Sequence, residues 1–318
     1  MSTNASSSSF DYVYMESPFQ GLGNGGHAFF AFFLLVYAAT LTGNSLLLTV
    51  IITDRSLRRP MYVMLANLVT SDLIGSTATL PRIMCNIVAS NAISLPECFA
   101  QMFFTHVYGV LSSFSLSAMT VDRYLAICQP LRYHTLMHNA RALKVNAALA
   151  SVSVMLILIM MLLIVRHSFC KEMVIHMPHC DHMTMVALAC DDVTANEFYD
   201  LITKLLGLGG CLAIVLVAYL RIAFECRQRA TREGQAKAVR TVVTHLLVVL
   251  IFFMSGLLIV VVHRLQKVFN MPVNVIVYLV VNFHTLPALM NPIIYGLCSA
   301  DIRRAIARLV RRRVGPAE

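Results

Sequence analysis

Charged and polar side chains interrupt several long apolar stretches of this sequence. Asp72 lies in the middle of the apolar run LVTSDLIG. A carboxylate is costly to bury among apolar residues unless it is paired or neutralised. With polar neighbours, Asp72 could hold a sodium ion or a proton, but a packing node that only fixes the orientation of helices would use the same residues. The polar residues that could meet it are Asn44, Ser112 and Asn291.

A second group of polar residues lies near one end of the same stretches. Arg264 could bind a carboxylate bidentately at the mouth of an apolar pocket, and His106 could add a second donor. The alternatives are an arginine that snorkels to the membrane surface and a histidine that only makes packing hydrogen bonds. The predicted pocket walls are Phe104, Val107, Gly109, Val110, Phe253, Leu257, Val260 and Tyr278.

Two further clusters are open to two interpretations each. Asp200 and Lys204 are four residues apart and can pair on one helix face; if both faced the pocket, they would suit a zwitterion such as an amino acid. His176, His179 and His182 are spaced like metal ligands. Histidine-rich loops more often lie in solvent, and no metal site is predicted.

The elements that must position these residues are membrane helices. Hydrophobic residues make up 58% of the 318-residue chain and charged residues 13%, with a mean hydropathy of +0.72. Soluble domains average about 25% charged residues, and about 20 apolar residues cross a bilayer as a helix. The sequence therefore predicts an all-α membrane protein, a seven-helix bundle over 27–297. The spans are placed at about 28–53, 61–84, 99–121, 143–165, 201–222, 240–262 and 272–296.

The distribution of charge predicts the orientation of the bundle. Of the 25 basic residues, 19 fall in the segments that are cytoplasmic if the N-terminus is outside, whereas the segment 166–200 is acidic. The net charge of +9 is then a property of the cytoplasmic face, and nucleic-acid binding is not expected. We expect a plasma-membrane protein with an outer tail, 1–26, that places the glycosylation sequon at Asn4 outside.

Four cysteines fall on the predicted outer side, where disulfides form. Cys98 opens the third span, and Cys170, Cys180 and Cys190 lie in one loop. Four cysteines permit three pairings, which the spacing does not separate. If all four are oxidised, at least one bond ties the loop to the bundle.

The acid–base pair Asp122–Arg123 ends the third span on the predicted cytoplasmic side. The two charges could pair in one state and separate when an intracellular partner inserts beside them, which would make a two-state element. The alternative is an ordinary solvated helix end. As a dipeptide the pair is weak evidence, and the surrounding motifs are what give it weight.

Those motifs resemble a known family. The third span ends in DRYLAIC followed by PLRY, the second begins with PMY and contains SD, the first contains GN, and the seventh contains NPIIY. Together they resemble the rhodopsin-like seven-helix receptors. The KAV and TH of the sixth span, the three loop cysteines and the absence of tryptophan resemble, more narrowly, the odorant receptors. The departures MTVDRY and KAVRTVVTH lie on the predicted cytoplasmic side and suggest a divergent, fish-like branch.

The resemblance implies roles that composition and spacing do not show. Activation would rearrange the cytoplasmic residues and swing the sixth helix outward at His245. Arg123 would then face the stimulatory G protein of olfactory cells, whose output is cyclic AMP. The resemblance also implies the disulfides Cys98–Cys180 and Cys170–Cys190, and small carboxylic acids as a recurring ligand class. The implied coupling residues are Asp122, Arg123, Tyr124, Tyr219, His245 and Tyr295.

The remaining segment and the remaining alternatives complete the prediction. Residues 298–318 are expected to form an amphipathic basic helix on the anionic inner leaflet, or else a disordered tail. The sequence contains no nucleophile–base set, zinc signature or phosphate loop, so no catalysis is predicted. A transporter and a receptor for a small hormone or metabolite are the competing functions. A small molecule, a G protein and membrane lipids are the expected partners.

Overall fold

The computed structural model describes residues 11–16, 18–19, 24–229, 232–269 and 272–314. Within these ranges, it describes no side chains at 24, 229, 232–241, 263, 264, 266–269, 273 and 312–314. The described part of the chain is a bundle of seven long helices, α1 to α7, followed by a shorter helix α8. The helices are α1 (Asn24–Thr53), α2 (Pro60–Val88), α3 (Leu95–Cys128), α4 (Asn139–Val165), α5, α6 (Arg232–Phe269), α7 (Val273–Cys298) and α8 (Ala300–Val314).

Helix α5 is continuous but changes its winding. It runs as an α-helix over Thr194–Lys204, as a π-helix over Leu205–Gly210 and as an α-helix again over Cys211–Arg229. The π-helical stretch has the sequence LLGLGG, and Gly207 lies buried against Val110 of α3. Such π-helical turns are rare and occur often at functional sites.

Six of the described helices, α1, α2, α4, α5, α6 and α7, are long and apolar enough to cross a membrane. Helix α3 is longer than most of these but more polar, with buried serines and threonines such as Ser112, Ser115 and Thr120. It can be more polar because it is surrounded by protein: α2, α4, α5 and α6 all contact it. The predicted seven-helix fold is confirmed.

The helices extend beyond the predicted spans because polar residues continue the helix past the apolar segment. Helix α3 starts at Leu95, preceded by a capping box in which Ser94 accepts from the Glu97 amide and Glu97 accepts from the Ser94 amide. Helix α5 starts at Thr194, seven residues before the predicted boundary, and includes the polar turn with Glu197. Two short helices, Pro130–Leu136 and His182–Val186, lie in the loops after α3 and α4.

A small sheet covers the end of the bundle that carries the four cysteines, called here the disulfide end. Strand β1 (Tyr12–Met15) pairs antiparallel with β2 (Ala92–Ser94) and parallel with β3 (Val174–Ile175). Val13 and Met15 are buried, while Tyr12 and Tyr14 are exposed, which is the alternation expected of a half-buried strand. The predicted polar tail, 1–26, therefore includes a strand and the start of α1.

The centre of the bundle is close-packed where α2 meets α3. Tyr108 of α3 is fully buried, and its ring lies directly against the backbone of Gly75 in α2. A Cβ atom at position 75 would overlap that ring. Glycine is therefore required there for the two helices to approach each other this closely.

Helix α8 turns away from α7 and docks on the opposite end, called here the basic end, which carries Arg123. Ser299 caps its start by accepting from the Ile302 amide. Its inner face buries Ile302 and Ala305, while Arg303 and Arg304 are exposed. Arg308 holds it to the turn after α1 through a 2.8 Å hydrogen bond to Asp54.

Candidate functional site

Two disulfides fix the long loop between α4 and α5. Cys98, at the start of α3, is bonded to Cys180, with their Cα atoms 5.4 Å apart. Cys170 is bonded to Cys190 within the loop, with their Cα atoms 6.0 Å apart. This is the pairing that the family resemblance implied, and it holds the loop against the top of α3.

Asp181 follows Cys180 and points its carboxylate towards α3. It caps the short helix His182–Val186 by accepting from the amides of Met183 and Thr184, at 3.1 and 3.3 Å. The other carboxylate oxygen lies 3.6 Å from Nε2 of His106. Nδ1 of His106 lies 2.8 Å from the Met102 carbonyl oxygen one turn earlier, an arrangement that fixes the direction of the ring.

Three further histidines surround this carboxylate. His179 and His182 come from the loop and His284 from α7, and all three are buried. The ring centre of His179 lies 5.1 Å from that of His284, with the two planes tilted by 60°, and the ring centre of His182 lies 6.4 Å from that of His106. Among the described residues no three histidine, cysteine or carboxylate side chains are placed to hold one metal ion.

The loop histidines and Asp181 have opposite electrostatic roles. Burial lowers the pKa of both His179 and His182 from 6.5 to about 4, so both are neutral at pH 7. Burial alone would raise the pKa of Asp181, but the nearby charges of His106 and Lys204, with smaller contributions from the loop histidines, hold it well below its usual range. Asp181 is therefore a carboxylate that interacts with His106 and Lys204 at the disulfide end.

Lys204 of α5 is a cationic group near Asp181. Its Nζ lies 2.6 Å from Oδ2 of Asp200 one turn earlier, so the predicted pair forms. Asp200 is buried, whereas about half of the Lys204 side chain is exposed. Lys204 therefore faces two carboxylates, Asp200 and Asp181.

The predicted apolar walls fall into two groups. Val107 and Val110 are buried against Ile157 and Met160 of α4. A Cβ at Gly109 would lie 4.0 Å from the ring of Phe283, so this glycine leaves space between α3 and α7. Three walls lie on α6: Leu257 and Val260, both half-buried, and Phe253, which is part of the central core.

Two of the predicted wall residues, Tyr278 and Phe104, are exposed. Tyr278 is exposed on the outside of α7, where its ring packs on Phe19 at 5.5 Å, because the buried Val277 and Val281 occupy the inward face. Phe104 is likewise exposed and packs on Phe103. Both side chains therefore face away from the interior of the bundle; spacing along a helix does not show which face turns inwards. The side chain of Arg264 lies outside the described residues.

Asp181 is the residue that sequence reasoning missed. Its position could have been inferred from its neighbour, because a Cys98–Cys180 bond places Asp181 over α3 near His106.

Asn196 of α5 was missed as well. Its buried amide oxygen lies 2.8 Å from Nε2 of His167, and its amide nitrogen 3.4 Å from Nε2 of His182. No pattern in the sequence pointed to this bridge.

The predicted polar node in the centre of the bundle is only partly formed. Asn291 donates to Oδ2 of Asp72 at 2.6 Å, which joins α7 to α2. Asn44 instead donates to the carbonyls of Thr40 and Ala288, and Ser112 lies 2.8 Å from Ser71. Oδ1 of Asp72 is buried with no hydrogen-bond partner among the described protein atoms.

At the basic end the charges of Asp122 and Arg123 are paired. Arg123 Nη2 lies 3.7 Å from Oδ2 of Asp122, whose side chain is fully buried. Tyr133, in the short helix after α3, donates to the other carboxylate oxygen at 2.9 Å. The sequence singled out the pair, but the contribution of Tyr133 was missed.

Tyr219 and His245 form a contact beside this pair. The hydroxyl of Tyr219 on α5 lies 2.7 Å from Nδ1 of His245 on α6, and the histidine is buried. Tyr295 of α7 is fully buried, and its hydroxyl makes no hydrogen bond to the described protein atoms. Tyr124 lies further out, in a groove between α3 and α5. The described coupling residues therefore gather on α3, α5, α6 and α7 at one end.

Comparison with known proteins agrees with this arrangement. The family model described as "Olfactory receptor" matches residues 33–313. Human olfactory receptor 52P1 is 34% identical over 278 residues, 87% of this chain and 86% of the relative. Human olfactory receptor 51F2 and mouse olfactory receptor 51E2 are also 34% identical, over 87% and 90% of this chain and 81% and 89% of the relatives. The chain therefore belongs to the olfactory receptor family of G-protein-coupled receptors.

Proposed function

We propose that this odorant receptor lies in the plasma membrane with its disulfide end outside and its basic end in the cytoplasm. Membership of the family supports the general function, which is to bind a small-molecule ligand and to act on a G protein. The protein is not an enzyme. Basic residues concentrate at the proposed cytoplasmic end, and disulfides form in oxidising compartments. Asn4, outside the described residues, would then be available for glycosylation.

We infer that the ligand carries a carboxylate, and the environment of Asp181 is the observation that supports this. The charges of His106 and Lys204 act on a carboxylate at the disulfide end, beside the apolar walls Val110 and Gly109. A ligand carboxylate would compete with Asp181 for these two side chains. Charge-assisted hydrogen bonds of this kind contribute about 1.5–3 kcal/mol each.

This competition suggests how binding reaches the helices. Asp181 is attached through Cys180 to the start of α3, and Lys204 immediately precedes the π-helical turn of α5. Displacing Asp181 from His106 would release a contact between the loop and α3, while a bound carboxylate would join α3 to α5. The ligand would thus favour one arrangement of these helices over another, which is what a two-state receptor requires.

At the cytoplasmic end, we propose that activation separates Arg123 from Asp122 and frees it for a stimulatory, olfactory-type G protein. In the present arrangement the ion pair fixes Arg123 on α3, and the Tyr133 hydrogen bond ties α3 to the short helix that follows it. The Tyr219–His245 contact joins α5 to α6. Cyclic AMP would be the output. The three relatives named above are mammalian, and the fish-like branch remains a prediction.

We also propose a sodium ion or a proton at Asp72. The buried, unpartnered Oδ1 is the atom that would accept it, and Oδ1 of Asn44 is buried without a partner as well. Asn291 already satisfies Oδ2, so the residues fit a small cation or a proton on one side of the carboxylate only. Sodium that lowers agonist affinity in wild type but not in Asp72→Asn would support this, and no sodium effect in wild type would contradict a sodium site.

The ligand proposal is tested by cyclic AMP accumulation in cells that express the receptor. Short carboxylic acids, the matching alcohols and amines, and amino acids form the panel. We expect the acids to respond, and Lys204→Gln or His106→Phe to lower their potency about ten-fold or more, which corresponds to one lost charge-assisted hydrogen bond. Arg166→Gln is the control, because Arg166 is exposed at the same end.

Each outcome of the panel has a distinct meaning. Responses to amino acids would assign Asp200 and Lys204 to a zwitterion and overturn the acid proposal. Equal responses of wild type and both variants to an acid would remove His106 and Lys204 from the binding site. Transport of a panel compound without G-protein activation would contradict the receptor function itself.

A further inference from the structure

A groove runs along the outside of the bundle at the basic end, between α3 and α5. Its polar part, of about 300 Å³, is lined by Tyr124 and Gln129 from the α3 side and by Glu225 and Gln228 from α5. Its apolar part, also of about 300 Å³, is lined by Val217 and Leu220 of α5. Arg221 and Phe224 line both parts, so the two form one continuous groove.

The apolar part faces away from the bundle. Val217, Leu220 and Phe224 are spaced three and four residues apart, so they share one face of α5. They are 59%, 70% and 57% exposed, and this face belongs to a helix apolar enough to cross a membrane. The face is therefore in contact with lipid chains in the bilayer.

Arg221 lies where this apolar face gives way to the polar part of the groove. It is exposed and forms no ion pair or hydrogen bond with the described residues. Arg123 and Arg308 at the same end are both paired with carboxylates. A guanidinium at the border between lipid chains and water lies at the depth of lipid phosphates, and its planar fork binds phosphate oxygens bidentately.

We propose that this groove binds a membrane phospholipid, with its phosphodiester on Arg221 and one acyl chain along Val217, Leu220 and Phe224. Among the described residues, Arg221 is the cation of the polar lining. One guanidinium matches a head group with a single phosphodiester better than a polyanionic one. Because the lining comes from both α3 and α5, the bound lipid contacts both helices and stabilises their association at this end.

This inference is independent of the proposed odorant, because the groove shares no residue with the disulfide end. A lipid bound in this way differs from the lipids that surround the whole bundle, because it requires Arg221 at the depth of the phosphates. The competing interpretation is that Arg221 only extends to water, the common behaviour of arginine at a membrane surface. That interpretation requires neither a phosphate nor any preference between lipids that carry the same acyl chains.

The experiment uses the purified full-length receptor in detergent with a phosphatidylcholine that carries a photoreactive acyl chain. Cross-linked peptides are mapped along α5. We expect labelling around residues 217–224. In Arg221→Gln the labelling should fall about ten-fold, because one charge-assisted contact to the phosphate is lost. Arg227→Gln is the matched control, an exposed arginine on the same helix that does not line the groove. A diacylglycerol probe with the same chains should label this segment far less.

A second pair of variants tests the apolar part. Leu220→Asn should reduce the labelling, whereas Leu216→Asn, also exposed on α5 but outside the groove, should not. Added phospholipid should raise the Tm of wild type and of Arg227→Gln but not of Arg221→Gln. Equal labelling of Arg221→Gln and wild type, or equal labelling by diacylglycerol, would overturn the proposal. Stronger competition by a phosphoinositide than by phosphatidylcholine would overturn the assigned head-group class.

Discussion

At the scale of single residues, we predict that the paired charges at the basic end restrain the activity of the unliganded receptor. Asp122→Asn removes the charge that holds Arg123 at 3.7 Å and leaves the Tyr133 contact possible. If this change destabilises the arrangement in which Asp122 and Arg123 are paired by about 1–2 kcal/mol, the equilibrium between the paired and the active arrangement shifts roughly five- to thirty-fold towards the active one. We therefore expect raised basal cyclic AMP, measured against surface expression. Arg132→Gln, an exposed arginine in the next segment, is the control.

Tyr133→Phe should have a weaker effect in the same direction. It removes one 2.9 Å hydrogen bond to Asp122 but keeps the ring and the ion pair. Because the ion pair still holds Arg123, the restraint loses less than it does in Asp122→Asn. Basal cyclic AMP between the wild-type and Asp122→Asn levels is the expected result. A Tyr133→Phe receptor with wild-type basal activity would show that Tyr133 takes no part in this restraint.

Residue types could be predicted from the sequence, but most of their partners could not. Asp72 and Asn291 were expected to meet and do so, whereas Ser112 bonds to Ser71 and Asn44 to backbone carbonyls. Asp181 was missed because it lies far from His106 along the chain. Contacts of this kind depend on how the loop folds back over the bundle, and local spacing does not encode that path.

At the scale of elements, the approach of α2 to α3 depends on one glycine. Gly75→Ala would place a methyl group in the ring of the buried Tyr108, and overpacking of this kind costs typically about 1–3 kcal/mol. We expect a lower Tm and lower surface expression. Gly296→Ala is the matched control, because its Cβ meets nothing within 4 Å and alanine favours the helix. A Gly75→Ala receptor as stable as Gly296→Ala would contradict the close packing.

The sequence predicted the long helices well and the cover of the disulfide end poorly. Apolar stretches indicate spanning helices because the bilayer sets their length and composition. Strand β1 has only four residues, and its partners β2 and β3 are separated from it by whole helices. Its alternating pattern is too short to distinguish a strand from a polar tail, and the helices must be assembled before its partners are near.

At the scale of the whole molecule, the buried histidines make stability depend on pH. The pKa values of His179 and His182 are lowered by burial to about 4, below the 6.5 of the unfolded chain. Between these values the unfolded chain binds protons that the folded protein does not. The contribution of the two histidines to the free energy of unfolding is therefore fully present above about pH 6.5. It is lost as pH falls towards 4, by up to about 1.4 kcal/mol per pH unit for each histidine.

The measurement is the Tm of the full-length receptor at pH 7, 6 and 5. Tm should fall across this range in wild type and fall less steeply in His182→Gln, which removes one of these two loop histidines. His176→Gln is the control, because His176 is exposed and its ring lies 3.1 Å from Glu16, which is exposed as well. An equally steep fall in His182→Gln and wild type would show that the buried histidines do not determine this dependence.

The central claim is that the receptor recognises a carboxylate between α3 and α5. The most direct measurement is the ratio of the potencies of a short carboxylic acid and its matching alcohol, read as cyclic AMP, in wild type and in Lys204→Gln. A strong preference for the acid in wild type that falls about ten-fold in the variant is the predicted result. A receptor present at the cell surface that responds to the alcohol as well as to the acid would contradict the claim.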